Sequence, residues 1–290
     1  MSLLSVISEG ERRYICGGID VGMRSDGRSC DDYQMISIER DVTHNCDGSA
    51  HIRCGHNDVL VGIKLEIESV VQLEDWNQCG RIDFSADITA NASPMFEGRH
   101  GEDITNVLVT LFSESIPQCL DLQSLVVVPN KYFWVIHIDI VVLECGSLPS
   151  LIDSAAIAVK SALFDTKIPS VSAVAGDSED FVVSDDMFES TRLDVSRVPL
   201  FVTLTRISTR YVVDVTPEED EASIASISFA INSSEGIVYM KKIKSGSLHP
   251  EPIQHTHEKV QKVGQTLNEV LMMKLSSDSQ NKGKISFSLN

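Results

Sequence analysis

Residues 133–164 read FWVIHIDIVVLECGSLPSLIDSAAIAVKSALF. The first eleven are almost continuously apolar and β-branched, the pattern of a strand buried on both faces. After Glu144-Cys-Gly-Ser-Leu-Pro-Ser150 the character changes. Residues 152–164 are small and apolar, and predict a helix shaped to pack closely on a sheet. Leu125–Val128 is a second buried run, and Pro169 ends the unit. A strand followed by a small-residue helix sets the frame for the rest of the chain.

Upstream, Ser8 is a helix cap and residues 8–16 predict a short helix. Arg24-Ser-Asp-Gly-Arg28 reads as a turn. From 35 to 67 the pattern is β, with a turn at Asn45–Gly48 and strands at 50–54 and 58–67. Residues 81–89 alternate strictly and predict a strand. A loop at 91–101 leads to a helix at 102–115. A polar, acidic connection spans 175–190. Beyond it, strands are expected at 200–207, 210–215, 222–231 and 236–242, then a helix near 251–275. Strands cluster ahead of a helix in each half, so the fold class is α+β rather than a regular βαβ series. Residues 8–275 are expected to form one domain, with halves at about 24–170 and 195–275. Residues 1–7 and 276–290 are expected to be flexible ends.

The 290 residues carry 24 basic and 42 acidic side chains, a net charge of −18. So acidic a chain is not a general nucleic-acid binder. Residues 241–290 hold eight lysines against four acids, leaving −22 on the remainder. This basic segment reads as a solvated helix and tail or as a polyanion-facing surface. No run is long and apolar enough for a membrane span, and the start is too polar for a signal peptide. A soluble intracellular protein is expected. Seven cysteines without a CxxC pair read as reduced thiols. His44, Cys46, His51, Cys54 and His56 match no standard zinc spacing, so no metal and no cofactor is expected.

Several segments in order and spacing resemble the RNase PH family: Arg24–Arg28, Gly48–Gly62, Ser93–Arg99, Trp134–Asp139, Leu143–Gly146 and Val213–Glu219. The chain is most similar to the branch that forms non-catalytic rings in the eukaryotic RNA exosome. Phe96–Arg99, Leu143–Gly146, Ala158–Lys160 and Asp214–Thr216 carry that closer match. The resemblance implies an RNase PH-like (ribosomal protein S5 domain 2-like) fold of two pseudo-symmetric halves. It implies a six-membered ring of related subunits around an RNA-conducting pore, capped by S1/KH-type subunits. It further implies a role in rRNA maturation and mRNA turnover, in the nucleus, nucleolus and cytoplasm.

Active members of the family cleave RNA with inorganic phosphate. They hold the phosphate at a Gly-rich turn bearing Ser or Thr and then Arg, at a helix N-terminus. Here that turn reads Gly146-Ser-Leu-Pro-Ser150. Leu148 and Pro149 stand where the arginine is needed, and no arginine occurs from 100 to 191. The loop looks about two residues longer than in relatives, which would displace the helix start. Glu219-Asp220 falls near the family's first acidic position, but the run Glu218–Glu221 reads as a solvated turn. Ser226 stands where a second aspartate is expected. The expectation is therefore no enzyme and no catalytic residue. Arg99, in the pore-facing loop of relatives, is the one candidate RNA-binding residue; its alternative is a surface arginine paired with Glu97, Glu102 or Asp103. Arg24 and Arg28 are expected to pin the N-terminal segment through carboxylate pairing. Trp134 and Phe133 are expected in the core. The scaffold reading competes with a phosphate-dependent exoribonuclease and with a stand-alone binding module of the same fold.

Overall fold

The computed structural model describes residues 7–70, 79–89, 91–92, 99–173, 181–184, 189–233, 236–247, 250–277 and 284–289. The first half holds α1 (Glu9–Asp20), β1 (Ile36–Arg40), β2 (Gly48–Cys54), β3 (Asn57–Ser69), β4 (Arg81–Ile88), α2 (Arg99–Ser115), β5 (Val126–Val128), β6 (Tyr132–Glu144) and α3 (Leu148–Asp165). Four short strands bridge the halves: β7 (Lys167–Pro169), β8 (Val171–Ala173), β9 (Phe181–Val183) and β10 (Ser190–Arg192). The second half holds β11 (Leu200–Ile207), β12 (Arg210–Val213), α4 (Pro217–Ala222), β13 (Ala225–Asn232), β14 (Gly236–Lys242), α5 (Pro250–Ser277) and β15 (Ile285–Phe287).

Two sheets enclose the middle helices. The first has the order β15-β1-β2-β3-β6-β4, with β5 also on β6; the second has the order β12-β11-β13-β14. β4 runs parallel to β6, and the other pairings are antiparallel. α3 packs on β1, β2, β3 and β6 on one side and on β11 and β13 on the other. α2 lies in the same layer, touching β4 and β14. Phe112 of α2 joins the layers, 6.1 Å from the Phe84 ring and edge-on to Phe201 at 5.5 Å. α5 covers the far side of β11 and β13. This explains why all eight residues of β13 are buried.

α3 is buried from Pro149 through Leu163. Its alanines and serines keep the helix thin enough for two sheets to close on it. Its polar side chains must then find partners inside the protein. Ser154 and Ser161 bond back to carbonyls one turn earlier, at 2.9 and 2.7 Å. Lys160, fully buried, donates to the Val198 carbonyl and to Asn268 Oδ1, both at 2.6 Å, so it ties α3 to α5. Burial lowers its pKa to about 8. Asp153 accepts from Tyr33 Oη at 2.9 Å, from the Thr203 amide at 3.0 Å and from Thr203 Oγ1 at 2.7 Å.

Several expectations change at their edges. α1 opens on Ser8 through a reciprocal capping box with Glu11, but runs on to Asp20 rather than ending at 16. Gly18 is needed there, since a Cβ would lie 2.8 Å from the Met23 carbonyl. Ile7 is not a loose end: it is buried with Ile19, Ile207 and Val212. The C-terminal tail is not loose at 285–287 either. The alternation Ile-Ser-Phe forms β15 on the β1 edge, Ile36 opposite Phe287, and buries Ile285 and Phe287. The strand expected over 210–215 stops at Val213, because Asp214 takes φ 45°. The one expected over 222–231 begins at Ala225, because 217–222 are helical. The acidic connection at 175–190 holds β9 and the start of β10. The basic C-terminal segment is partly neutralised: Lys244 meets Asp220, Lys259 meets Asp31 and Lys284 meets Glu39.

Burial raises the Asp153 carboxyl pKa to about 7, against the opposing hydrogen bonds from Thr203 and Tyr33. In the unfolded chain it titrates near 4. Between those values the folded protein holds a proton that the unfolded chain has lost, so Asp153 makes stability fall as pH rises from about 4 to 7. Asp153→Asn removes this titration, keeps a carbonyl oxygen to accept from Tyr33 Oη and the Thr203 amide, and can donate to Thr203 Oγ1 once that hydroxyl turns to Ser228. Urea unfolding from pH 4.5 to 7.5 should therefore show a smaller fall, or a larger rise, in the variant than in the native chain. Parallel curves for the two would contradict the assignment.

Candidate functional site at the N-terminus of α3

The turn expected to cradle phosphate is folded into the protein. α3 begins at Leu148 after Ser147, with Pro149 in its first turn. Leu148, Pro149 and Ser150 are thus helical, so α3 begins four residues ahead of its expected start. Proline is well suited to a first turn, where its missing N–H costs no helical bond. Several polar groups around this turn already have partners within the protein. The Gly146 amide donates to Asn57 Oδ1 at 3.1 Å. Asn57 Nδ2 donates to Ser150 Oγ at 2.8 Å, and Ser150 Oγ donates to Asp214 Oδ1. Ser147 Oγ donates to the Val215 carbonyl at 3.0 Å. A Cβ on Gly146 would stand 2.7 Å from His56 Cβ and 3.2 Å from Pro217 Cγ. The β2–β3 turn and the start of α4 thus pack closely against Gly146.

Asp214 supplies an internal anion beside this helix end. Besides Ser150, its carboxylate accepts from Arg28 Nη1 at 2.9 Å and from the Gln34 amide at 2.7 Å. Its backbone is left-handed, at φ 45°, a region that aspartate tolerates better than most residues with a side chain. Its carbonyl accepts from Arg24 Nη2 at 2.8 Å and from Arg28 Nη1 at 3.1 Å, which holds the residue there. Arg24 also forms a bidentate pair with Glu219, at 2.9 and 2.5 Å, and both side chains are buried. Arg24 and Arg28 therefore pin the N-terminal segment, as expected.

The acidic run behaves differently from its expectation. Residues 217–222 form α4, capped reciprocally by Thr216 and Glu219. Glu219 is buried as the partner of Arg24 rather than solvated in a turn. Asp220 meets Lys244 Nζ at 3.3 Å. Next to it, burial and then the Asp220 charge push the Cys145 thiol up to about 12. Ser226 is fully buried on β13, paired with Thr205 Oγ1 at 3.0 Å. Thr203 and Ser228 pair likewise at 2.6 Å and link to Asp153. Pattern reading passed over Asp153 and Lys160, because their neighbours make α3 look purely apolar. The reciprocal Thr216-x-x-Glu219 capping box was the available signal for α4.

Arg99 is the first residue of α2 rather than part of a loop, and residues 93–98 before it lie outside the described residues. Trp134 and Phe133 are core residues. β2 alternation turns His51 and Cys54 to opposite faces; His51 meets Asp58, while Cys54 is buried. Among the described residues no cluster of three His, Cys, Asp or Glu side chains is placed to hold a metal ion. No helix there is long and apolar enough to cross a membrane.

The two halves match the two domains of one family. Residues 32–169 match "3' exoribonuclease family, domain 1" and residues 197–255 match "3' exoribonuclease family, domain 2". The chain belongs to this family, the RNase PH family. It is 30% identical to "Exosome complex component Rrp42" of Thermococcus kodakarensis, over 94% of this chain and 98% of that one. It is 29% identical to an "exosome complex exonuclease RRP42" of Dictyostelium discoideum, over 89% and 94%. Among solved structures it superposes on a chain of an Archaeoglobus fulgidus exosome with RNA bound to the active site. There the TM-score is 0.72 at 23% identity, covering 90% of this chain and 98% of the other.

The Arg24–Glu219 pair gives the site a measurable anchor. Arg24→Met leaves a buried carboxylate without its partner and should cost about 3–5 kcal/mol in urea unfolding. Adding Glu219→Gln should recover part of that loss. A loss below about 1 kcal/mol would mean that the pair is not the clamp described.

Proposed function

We propose that this chain is an Rrp42-type ring subunit of an RNA exosome and acts as a non-catalytic scaffold. Its partners are other RNase PH-like ring subunits and S1/KH cap subunits, with RNA passing through the assembled pore. It supports 3′-to-5′ RNA processing and degradation, including rRNA maturation and mRNA turnover, in the nucleus, nucleolus and cytoplasm. Arg99 contributes a phosphate contact at the pore. Similarity to Rrp42 components along nearly the whole chain supports the ring assignment.

One observation supports the non-catalytic reading: around the α3 N-terminus the Gly146 amide and the Ser147 and Ser150 hydroxyls are bonded to the protein's own groups. Phosphorolysis needs a held phosphate and stabilisation of an anionic transition state. Here Asp214 places a negative charge beside the helix end, and Leu148 and Pro149 offer no cation. The exonuclease name of the Dictyostelium relative favours the enzymatic alternative. That alternative also needs a second carboxylate where Ser226 lies buried.

The purified chain, given RNA and inorganic phosphate, should release no nucleoside diphosphate. Leu148→Arg should not create turnover, because Ser226 and the Asp214 charge remain. Diphosphate release by a nuclease-free preparation, or turnover gained by that single substitution, would favour the exoribonuclease.

A further inference from the structure

β15 continues the pattern of the strand it covers. Ile285 stands opposite Ile38, Ser286 opposite Ser37 and Phe287 opposite Ile36. The two apolar rows run on into β2, where Ile52 faces Ile38 and Cys54 faces Ile36. Ile36, Ile38, Ile52 and Cys54 are all buried. Directly opposed residues share a face of the sheet, so Ile285 and Phe287 extend this apolar face by one strand. Leu289, two positions on, is buried as well and lines a cavity with Val263 and Thr266 of α5. A period of two thus runs through 285, 287 and 289, with serines between. Lys284 meets Glu39 of β1 at 3.2 Å, but both side chains are exposed and such a pair adds little.

Without β15, β1 would be an open edge. A row of backbone donors and acceptors would face solvent beside Ile36 and Ile38, a template for pairing with any extended chain. The cover is slight. β15 spans three residues, whereas β6 in the middle of the same sheet spans thirteen. Among the described residues β1 is its one strand partner. Short edge strands open at lower free energy than the body of a sheet.

We infer that the β1 edge is a strand-docking site, and that residues 284–289 of this chain occupy it as a displaceable strap. The site takes an extended segment antiparallel to β1 with apolar side chains at alternate positions, as in Ile285, Phe287 and Leu289. Backbone pairing supplies the affinity and the alternate side chains the specificity. The strap is favoured over a free segment because its tether gives it an effective concentration in roughly the millimolar range. The inference rests on strand register and burial, and stands apart from the proposed ring role.

The test uses the full chain carrying Ile285→Ser and Phe287→Ser, which disables its own strap, and a fluorescein-labelled peptide of residues 282–290, KGKISFSLN. Fluorescence anisotropy should show the variant binding this peptide at least about tenfold more tightly than the native chain does, since the native strap competes. The same peptide with both serine changes keeps its charge and should bind the variant at least about tenfold more weakly. Equal binding of the two peptides would reduce the effect to a basic peptide on an acidic chain and overturn the site. Equal binding by the two chains would also overturn it, as would no binding by a variant whose circular dichroism is native. Should the variant not fold, hydrogen exchange of the native chain decides. The amides of Ile285, Ser286 and Phe287 should exchange at least about a hundredfold faster than those of β6. Exchange of both strands at one rate would mean that β15 opens only with the whole protein and is no strap.

Discussion

A helix that touches sheets on two sides has no solvent to fall back on. α3 is buried through fifteen consecutive positions, Pro149 to Leu163, so each of its polar groups must be met from within. Asp153 reaches to Tyr33 and β11, and Lys160 reaches to Val198 and α5. Ser150 reaches to Asn57 and Asp214. These bonds run to both halves of the chain, so α3 fixes how the sheets sit on one another. The small side chains allow the sheets to approach, and the polar ones set the register.

The same constraint shapes the site. A helix N-terminus attracts anions. In this chain Asp214 bonds the Ser150 hydroxyl in the first turn of α3, Asn57 takes the Gly146 amide, and Arg24 and Arg28 bond the Asp214 carbonyl in its left-handed conformation. The same network clamps the N-terminal segment to the second half.

Much of the fold was legible because its signals are local. The β-branched run at 133–143, the alternation at 81–89 and the small apolar stretch at 152–164 each identify one element without help from distant residues. The C-terminal strand was not legible. Three alternating residues carry little signal by themselves, and their stability comes from the β1 edge, far away in sequence. The site was half legible. The missing arginine and the buried Ser226 can be read from residue types. The burial of Glu219 cannot, since four acidic residues in a row look solvated until Arg24 arrives from 195 positions away. The start of α3 was misplaced because Pro149 was read as a loop residue, whereas proline also suits a first helical turn.

The proposed ring role rests on surface and shape. The β4 and β14 strands end their sheets, and strand edges of this kind invite pairing. A ring subunit needs two different side surfaces, each burying an area of order 2,000 Å². Co-expression with a related RNase PH-like subunit, followed by native mass measurement, tests this most directly. A stable heterodimer that survives ~0.5 M salt, where surface charges are screened, is the predicted result. A soluble monomer that ignores every related subunit would contradict it.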